Sequence, residues 1–372
     1  MKYNRYTLSD LATIKYGKNQ KKVLSDSGTV PIFGTGGLMG FATTSLYDKP
    51  SVLIGRKGTI GKVKYVEQPF WTVDTLFYTI INTDLVIPKY LFYVMSLIDL
   101  NNYNEGTTIP SLRTETLNRL EFDIPDLEEQ RKILSCLNPI DEKIELNNAI
   151  NNNLEQQMRA LFNEFLSANH FNSLTTVEDV VLTANTGADA IQKAPIVDYD
   201  TGVRCIRVGD MTNNRSFHDW GFTKVTDEVF KRYQLHKDDI VVTRTASLGL
   251  NTIITEDLSA VYNNGLIRLT VNPSKILPLF LYRQFQTEDF ANYIARIESE
   301  TSVRPNMKIN YLLKYEFVLP PMDKQIELIS LLAPMLNHQN TLIIESKHLE
   351  TLRDTLLPKL MSGEIDVSDI DL

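Results

Sequence analysis

Residues that could carry out chemistry are sparse, and the nearest approach to a catalytic motif is a loop of three glycines. Gly55-Arg56-Lys57-Gly58-Thr59-Ile60-Gly61-Lys62 mimics a phosphate-cradling loop, yet five residues separate its outer glycines where four are required, and Val63 stands where a magnesium-binding Ser or Thr is needed. Phe33-Gly34-Thr35-Gly36-Gly37 has the look of a methyl-donor glycine loop. No long apolar strand ending in an acid precedes it and no Asn-Pro-Pro-aromatic loop occurs, so it reads as a tight turn. The five histidines are scattered, none four residues from another, which gives no metal or triad constellation. Cys136 and Cys205 have no second cysteine at metal-ligand spacing and read as buried thiols. Acids are plentiful, but no nuclease cluster stands out. Neither a catalytic residue nor a cofactor is expected.

What remains is recognition chemistry. Arg bonds bidentately to guanine and Asn to adenine, whereas Lys most often neutralises phosphate. A net charge of −8 would repel a polyanion if it were spread evenly. It is not: Lys15, Lys18, Lys21, Lys22, Lys49, Arg56, Lys57, Lys62 and Lys64 crowd the first 65 residues against Asp10, Asp26 and Asp48. Arg204, Arg207, Arg215, Lys231, Arg232, Lys237 and Arg244 form a second basic group, while acids gather at Asp126, Glu128, Glu129, Asp141, Glu142 and Glu145. Should the chain bind DNA, the candidates for contact are Arg56, Lys57, Lys62, Thr107, Thr108 and Arg113, and then Arg207, Arg244, Asn263, Asn264, Arg304 and Lys308. Gly55, Gly58 and Gly61 would let backbone approach phosphate or simply make a turn.

These two groups belong to two copies of one unit. Pro110-Ser111-Leu112-Arg113 through Leu117, Glu121-Phe122 and Ile124-Pro125 to Gln130 recurs 195 residues later as Pro305-Asn306-Met307-Lys308 through Leu312, Glu316-Phe317 and Leu319-Pro320 to Gln325. A period this long means a duplicated domain rather than a solenoid. Each unit opens with an α+β head in which short apolar runs, among them Ser51 to Ile54, Phe77 to Ile81, Ile240 to Val242 and Leu266 to Val271, read as strands. Pro88 to Leu100 and Pro278 to Ile297 read as helices.

Each unit then closes with a heptad seam. Ile133, Leu137, Ile140, Ile144, Asn147, Asn151, Leu154, Met158, Leu161 and Phe165 alternate steps of four and three, and Leu328, Leu332, Met335, Gln339, Leu342, Ser346, Leu349, Arg353, Leu356 and Leu360 follow in the same phase. Two long helices pairing as an antiparallel coiled coil are expected, with Pro139 and Pro334 at a helix start or a kink. The expected fold class is thus α+β, two similar recognition domains alternating with two long helices about a pseudo-two-fold axis. The boundaries are residues 1–125 for the first head, 126–168 for the central helix, 169–320 for the second head, 321–363 for the distal helix and 364–372 for an acidic tail. An unbroken helix from Pro139 to Leu166 would span roughly 40 Å, against about 34 to 36 Å for a turn of B-DNA, so the helices could act as a ruler. Neither a signal peptide nor an apolar run long enough for a membrane span is seen, which favours the cytosol.

In this order the residues resemble the specificity subunit of type I restriction-modification enzymes. The resemblance rests on Val52-Leu53-Ile54-Gly55-Arg56-Lys57-Gly58-Thr59-Ile60-Gly61-Lys62-Val63, Trp71 to Phe77, Gly106 to Leu112 and Ile124-Pro125-Asp126-Leu127-Glu128-Glu129-Gln130, with Asp239 to Thr245, Tyr262 to Leu266 and Leu319 to Gln325 as counterparts. It implies a non-catalytic subunit that binds a bipartite double-stranded DNA site, docks two methylation subunits and, through them, restriction subunits. Glu142 and Glu145 are candidates for that docking face. The second unit departs from the pattern where Arg244-Thr245-Ala246-Ser247-Leu248-Gly249 loses the middle glycine and Glu300 to Arg304 replaces the Gly106-Thr107-Thr108 run. Two rival readings are a twin-globule protein-binding scaffold without DNA specificity and a nucleic-acid enzyme fused from two half-sites. The basic N-terminal cluster disfavours the first, and the lack of any phosphate, methyl-donor or metal loop disfavours the second.

Overall fold

The apolar runs become the centres of two similar antiparallel sheets. A computed structural model describes residues 2–169, 171–300 and 306–370, so Arg304 lies outside the described residues. The chain divides into Met1–Leu146 with Ser346–Leu372, and Asn147–Glu345.

In the first unit the central sheet runs in the order Ala12–Tyr16, Leu76–Ile81, Ser51–Gly55, Val63–Val66, every neighbour antiparallel. Ser51–Gly55 is buried along its whole length. The hydroxyls of Ser51 and Thr79 there satisfy each other's backbone, Ser51 Oγ donating to Thr79 O at 2.7 Å and Val52 N to Thr79 Oγ1 at 2.9 Å. A smaller sheet, in the order Gly37–Ala42, Val30–Gly34, Trp71–Thr72, has its last pair parallel. In the second unit the corresponding orders are Val181–Thr186, Leu266–Val271, Ile240–Thr243, Asn251–Ile253 and then Ile196–Val197, Phe222–Thr223, Arg204–Ile206, Ala260–Tyr262, the last pair again parallel. The helical reading of Pro278 to Ile297 resolves into two helices, Pro278–Gln284 and Glu288–Glu300.

The two seams become the helices Leu127–Ala168 and Met322–Met361. Every seam residue is buried or half-buried. Within the first unit Arg353 Nη1 meets Asp141 Oδ1 at 3.1 Å. Within the second, Asn147 Nδ2 donates to Glu345 Oε2 at 2.9 Å and Gln339 Nε2 to Asn151 O at 2.8 Å. In both units rising numbers on one helix meet falling numbers on the other, so the segments pair antiparallel. The polar seam positions thus carry bonds that work only in one register. Pro139 and Pro334 do not start these helices; both lie inside them on exposed positions. Tertiary packing of the seam outweighs the lost backbone bond.

Each head is fastened to its helix by a buried glutamine. Gln130 Nε2 donates to Leu85 O and Pro125 O, both at 2.9 Å, while its Oε1 accepts from Ile87 N at 2.8 Å, the residue before the helix Pro88–Ser96. Gln325, 195 residues on, donates to Pro320 O at 2.9 Å and accepts from Leu277 N at 2.9 Å, just before Pro278–Gln284. The two cores follow suit: Ile133, Leu134 and Leu137 join Leu357 and Leu360 in the first, and Met158 and Phe162 join Leu328 and Leu332 in the second. After Met361 the chain turns at Gly363 (φ +75°), and Val367 is buried in the first core with Ile365 and Ile370 against it. No helix among the described residues is long and apolar enough to cross a membrane.

Candidate nucleic-acid interface

In the first head, the strand Ser51–Gly55 delivers Arg56 to the end of the central sheet, where two other loops meet it. Arg56 N donates to Thr75 O at 2.8 Å and Leu112 N to Arg56 O at 2.9 Å. Lys57 forms an antiparallel bridge with Ser111, and Gly58 N donates to Pro110 O at 2.9 Å. The guanidinium of Arg56 donates from Nη1 to Asp74 O at 2.8 Å and lies 5.0 Å from the ring centre of Tyr16, which orients it while leaving further donors. Gly55 is required here because a Cβ would sit 2.1 Å from Thr59 O.

The loop carrying Thr107 and Thr108 is closed by Asn104, whose Oδ1 accepts from Gly106 N and Ser111 N, both at 2.9 Å. Both threonines are exposed. Arg113 is exposed too, but its Nε meets Glu105 Oε2 at 3.1 Å, so any phosphate must compete with that carboxylate. Arg56, Lys57, Thr107, Thr108 and Arg113 therefore stand on interlocked loops. Lys62 is exposed on a segment of the Gly55–Gly61 loop that packs Gly61 against the Asn101 side chain.

The second head repeats the wiring with different side chains. Arg244 N donates to Gly265 O at 2.9 Å, Met307 N to Arg244 O at 2.8 Å, and Thr245 forms the antiparallel bridge with Asn306. Arg244 Nη1 donates to Asn264 O at 3.1 Å, the counterpart of the Arg56 bond to Asp74 O. It also donates from Nη2 to Asn306 Oδ1 at 2.9 Å and from Nε to Met307 O at 3.2 Å. Asn263 N donates to Ile206 O at 3.2 Å, which brings Arg207 alongside. Lys308 is exposed and precedes the short helix Ile309–Leu313, as Arg113 precedes Thr114–Asn118.

The DNA specificity domain of type I restriction-modification systems matches this chain over residues 2–156 and again over 178–351. The chain belongs to that family. The specificity subunit of the type I restriction enzyme HindI from Haemophilus influenzae is 24% identical, the match covering 76% of this chain and 79% of that protein. The MjaIX specificity subunit from Methanocaldococcus jannaschii is also 24% identical, over 87% of this chain and 80% of its own length. A crystal structure of a type I system S subunit from M. genitalium shares the fold, with a TM-score of 0.59 at 16% identity and coverage of 97% and 96%. A type I specificity subunit selects the DNA sequence and performs neither methylation nor cleavage itself.

For this specificity subunit, several candidate residues turn out to be engaged in the scaffold. Asn263 Oδ1 accepts from Gly265 N at 3.2 Å, capping the very turn that Arg244 grips. Arg207 is half-buried and donates from Nη1 to Cys205 O at 3.0 Å, while its Nε and Nη2 are buried without a bond among the described residues. Asn264 is the exposed member of its pair. Cys205 is buried, which pushes its thiol up to about 11, and Cys136 is half-buried. Both cysteines are free.

Glu142 and Glu145 are exposed and line a cavity of about 670 Å³ in the first unit with Lys64, Lys89, Phe92 and Arg353. At its floor Asp141 accepts a short bond from Tyr93 Oη and faces Lys89 Nζ at 3.6 Å. Burial first and then this bond hold the Tyr93 phenol far above its ordinary value. Sequence reasoning missed Tyr16 and Asn104, and named Asp141 only as one of the acids of the first long helix. Of the two missed, only Asn104 left a trace, as an Asn two residues before the glycine whose amide its side chain holds.

Proposed function

We propose that this subunit reads a bipartite double-stranded DNA site, one head to each half-site, and docks two methylation subunits that in turn carry restriction subunits. The observation that carries the reading is the arginine planted at the same place in each head, Arg56 on Asp74 O and Arg244 on Asn264 O, at the meeting of three loops. An arginine oriented by a backbone carbonyl can present its remaining donors to guanine or phosphate at low entropic cost. The exposed Lys57, Lys62 and Lys308 beside these arginines supply sequence-independent attraction. Exchanging residues 1–125 for another family member's first head tests this reading. Methylome sequencing should show one half-site replaced and the other intact, and a change in both, or in neither, overturns the assignment.

The docking face proposed for a methylation subunit is the acidic rim at Glu142 and Glu145. Glu142→Lys with Glu145→Lys should reduce co-purification with the methylation subunit while circular dichroism stays unchanged. Undiminished co-purification removes this face.

A further inference from the structure

Ile191 is the most exposed large hydrophobic side chain among the described residues, 84% accessible. A scattered exposed apolar residue ordinarily needs no explanation, but the backbone beneath this one is built. Asp189 Oδ1 accepts from Ile191 N at 3.0 Å and Gln192 N at 2.8 Å, and Asp189 O accepts from Lys193 N at 3.0 Å and Ala194 N at 2.9 Å. The turn is also joined to the reading loops of the second head. Ala188 N donates to Tyr262 O at 2.9 Å, Asn264 N donates to Ala188 O at 2.8 Å, and Gly187 lies so close to Asn263 that a Cβ would meet its carbonyl oxygen at 2.3 Å. Only Asp189 and Ala190 stand between Ile191 and Ala188, the residue these bonds tie to Asn264.

The first head carries a related turn at the matching place, with different chemistry at its tip. Asn19 Oδ1 accepts from Lys21 N at 2.9 Å, and the exposed tip bears Lys21 and Lys22. A cation there suits phosphate. A branched hydrocarbon does not, yet exposed Lys193 two residues on keeps a cation on the turn that would suit a polyanion. On the major-groove edge of DNA the one apolar group is the 5-methyl of thymine. A β-branched side chain on a held backbone gives up little freedom in meeting it.

We propose that Ile191 recognises a thymine in the half-site of the second head by packing against its 5-methyl group. This rests on the reading of that head as a DNA reader. The test uses the complex with the methylation subunits and the half-site found by methylome sequencing. Each thymine of that half-site is replaced singly by deoxyuridine, and Kd is measured for the unmodified chain and for Ile191→Ala. One position should weaken about fourfold in the unmodified chain, the worth of one buried methyl group, and show no further loss in Ile191→Ala. Equal deoxyuridine effects in both proteins, or a half-site without thymine, overturn the proposal. So does a 2-aminopurine fluorescence rise that depends on Ile191, since that indicates a wedge between bases. A complex without any sequence preference in the second half-site overturns the underlying reading of the head, and the proposal with it.

Discussion

At the turn leaving the first strand of the central sheet, Asn19 holds Lys21 in one head and Asp189 holds Ile191 in the other. After Phe33-Gly34 the first head makes the hairpin to Gly37–Ala42; after Ile206-Arg207 the second makes the helix Val208–Thr212. Between these changes the main-chain bonds persist, Leu112 N to Arg56 O against Met307 N to Arg244 O, and Arg56 N to Thr75 O against Arg244 N to Gly265 O. Main-chain bonds are indifferent to side-chain identity. A duplicated unit can therefore keep its frame while its exposed side chains diverge, as the proposed reading of two different half-sites would require.

The heads also differ in how they are fastened to the long helices, and breaking those fastenings should give the largest effect. In the second unit Arg283, 1% exposed, donates from Nη1 to both oxygens of Glu155 at 3.0 and 3.2 Å. At the matching place the first unit has Tyr93 on Asp141, with Lys89 and Arg353 as further partners, both able to turn toward water. Glu155→Ala leaves a buried guanidinium without its anion and should cost about 3 kcal/mol. Asp141→Ala should cost about 1 to 2 kcal/mol, because its cations are only half-buried. Urea unfolding with hydrogen exchange resolving each unit measures both. Arg283→Met combined with Glu155→Gln should recover most of the loss; equal costs at the two sites would show that burial of Arg283 is not what separates them.

A smaller contrast lies in the arginines. Arg56 uses one side-chain donor on Asp74 O, whereas Arg244 spends three, on Asn264 O, Asn306 Oδ1 and Met307 O. Arg56→Ala should cost about 1 to 3 kcal/mol of binding and relax preference at one base pair. Arg244→Ala should weaken binding to the second half-site while leaving base preference unchanged. Binding of the complex to a panel of half-site variants separates the two outcomes, and a shift in preference from Arg244→Ala would reverse the assignment.

The helices were legible in the sequence because burial along a heptad is a periodic signal, and residues as unlike as Asn147, Gln339 and Arg353 kept the period. Of the two places open to Pro139 and Pro334, a helix start or a kink inside one, the helices exclude the start; a local rule about backbone donors could not choose, because it takes no account of the partner helix. The site was legible only in part. Arg56 stood out by its glycine neighbours and Arg244 as its counterpart in the repeat, but nothing local to Asn263 says that its side chain caps a turn, since that depends on where Gly265 comes to rest. Ile191 was invisible for the reverse reason: an isoleucine in sequence reads as core, and only the fold shows its tip in solvent.

The smallest expected effect gives the sharpest sign. Gly58 (φ +85°) and Ala246 (φ +63°) occupy the same left-handed step after the arginine, so the second head keeps the turn without the residue that makes it cheap. A Cβ at Gly58 would meet nothing within 4 Å, so the backbone conformation alone should set the cost there. A left-handed residue other than glycine costs roughly 1 to 2 kcal/mol, offset in part because glycine loses more freedom on folding. Gly58→Ala should therefore destabilise the first unit by about 1 kcal/mol, and Ala246→Gly should stabilise the second by up to about 1 kcal/mol. Paired urea midpoints at constant slope measure the two changes. Loss of stability from Ala246→Gly would mean that the alanine methyl makes a contact outweighing its strain, and the two turns would then be alike only in outline.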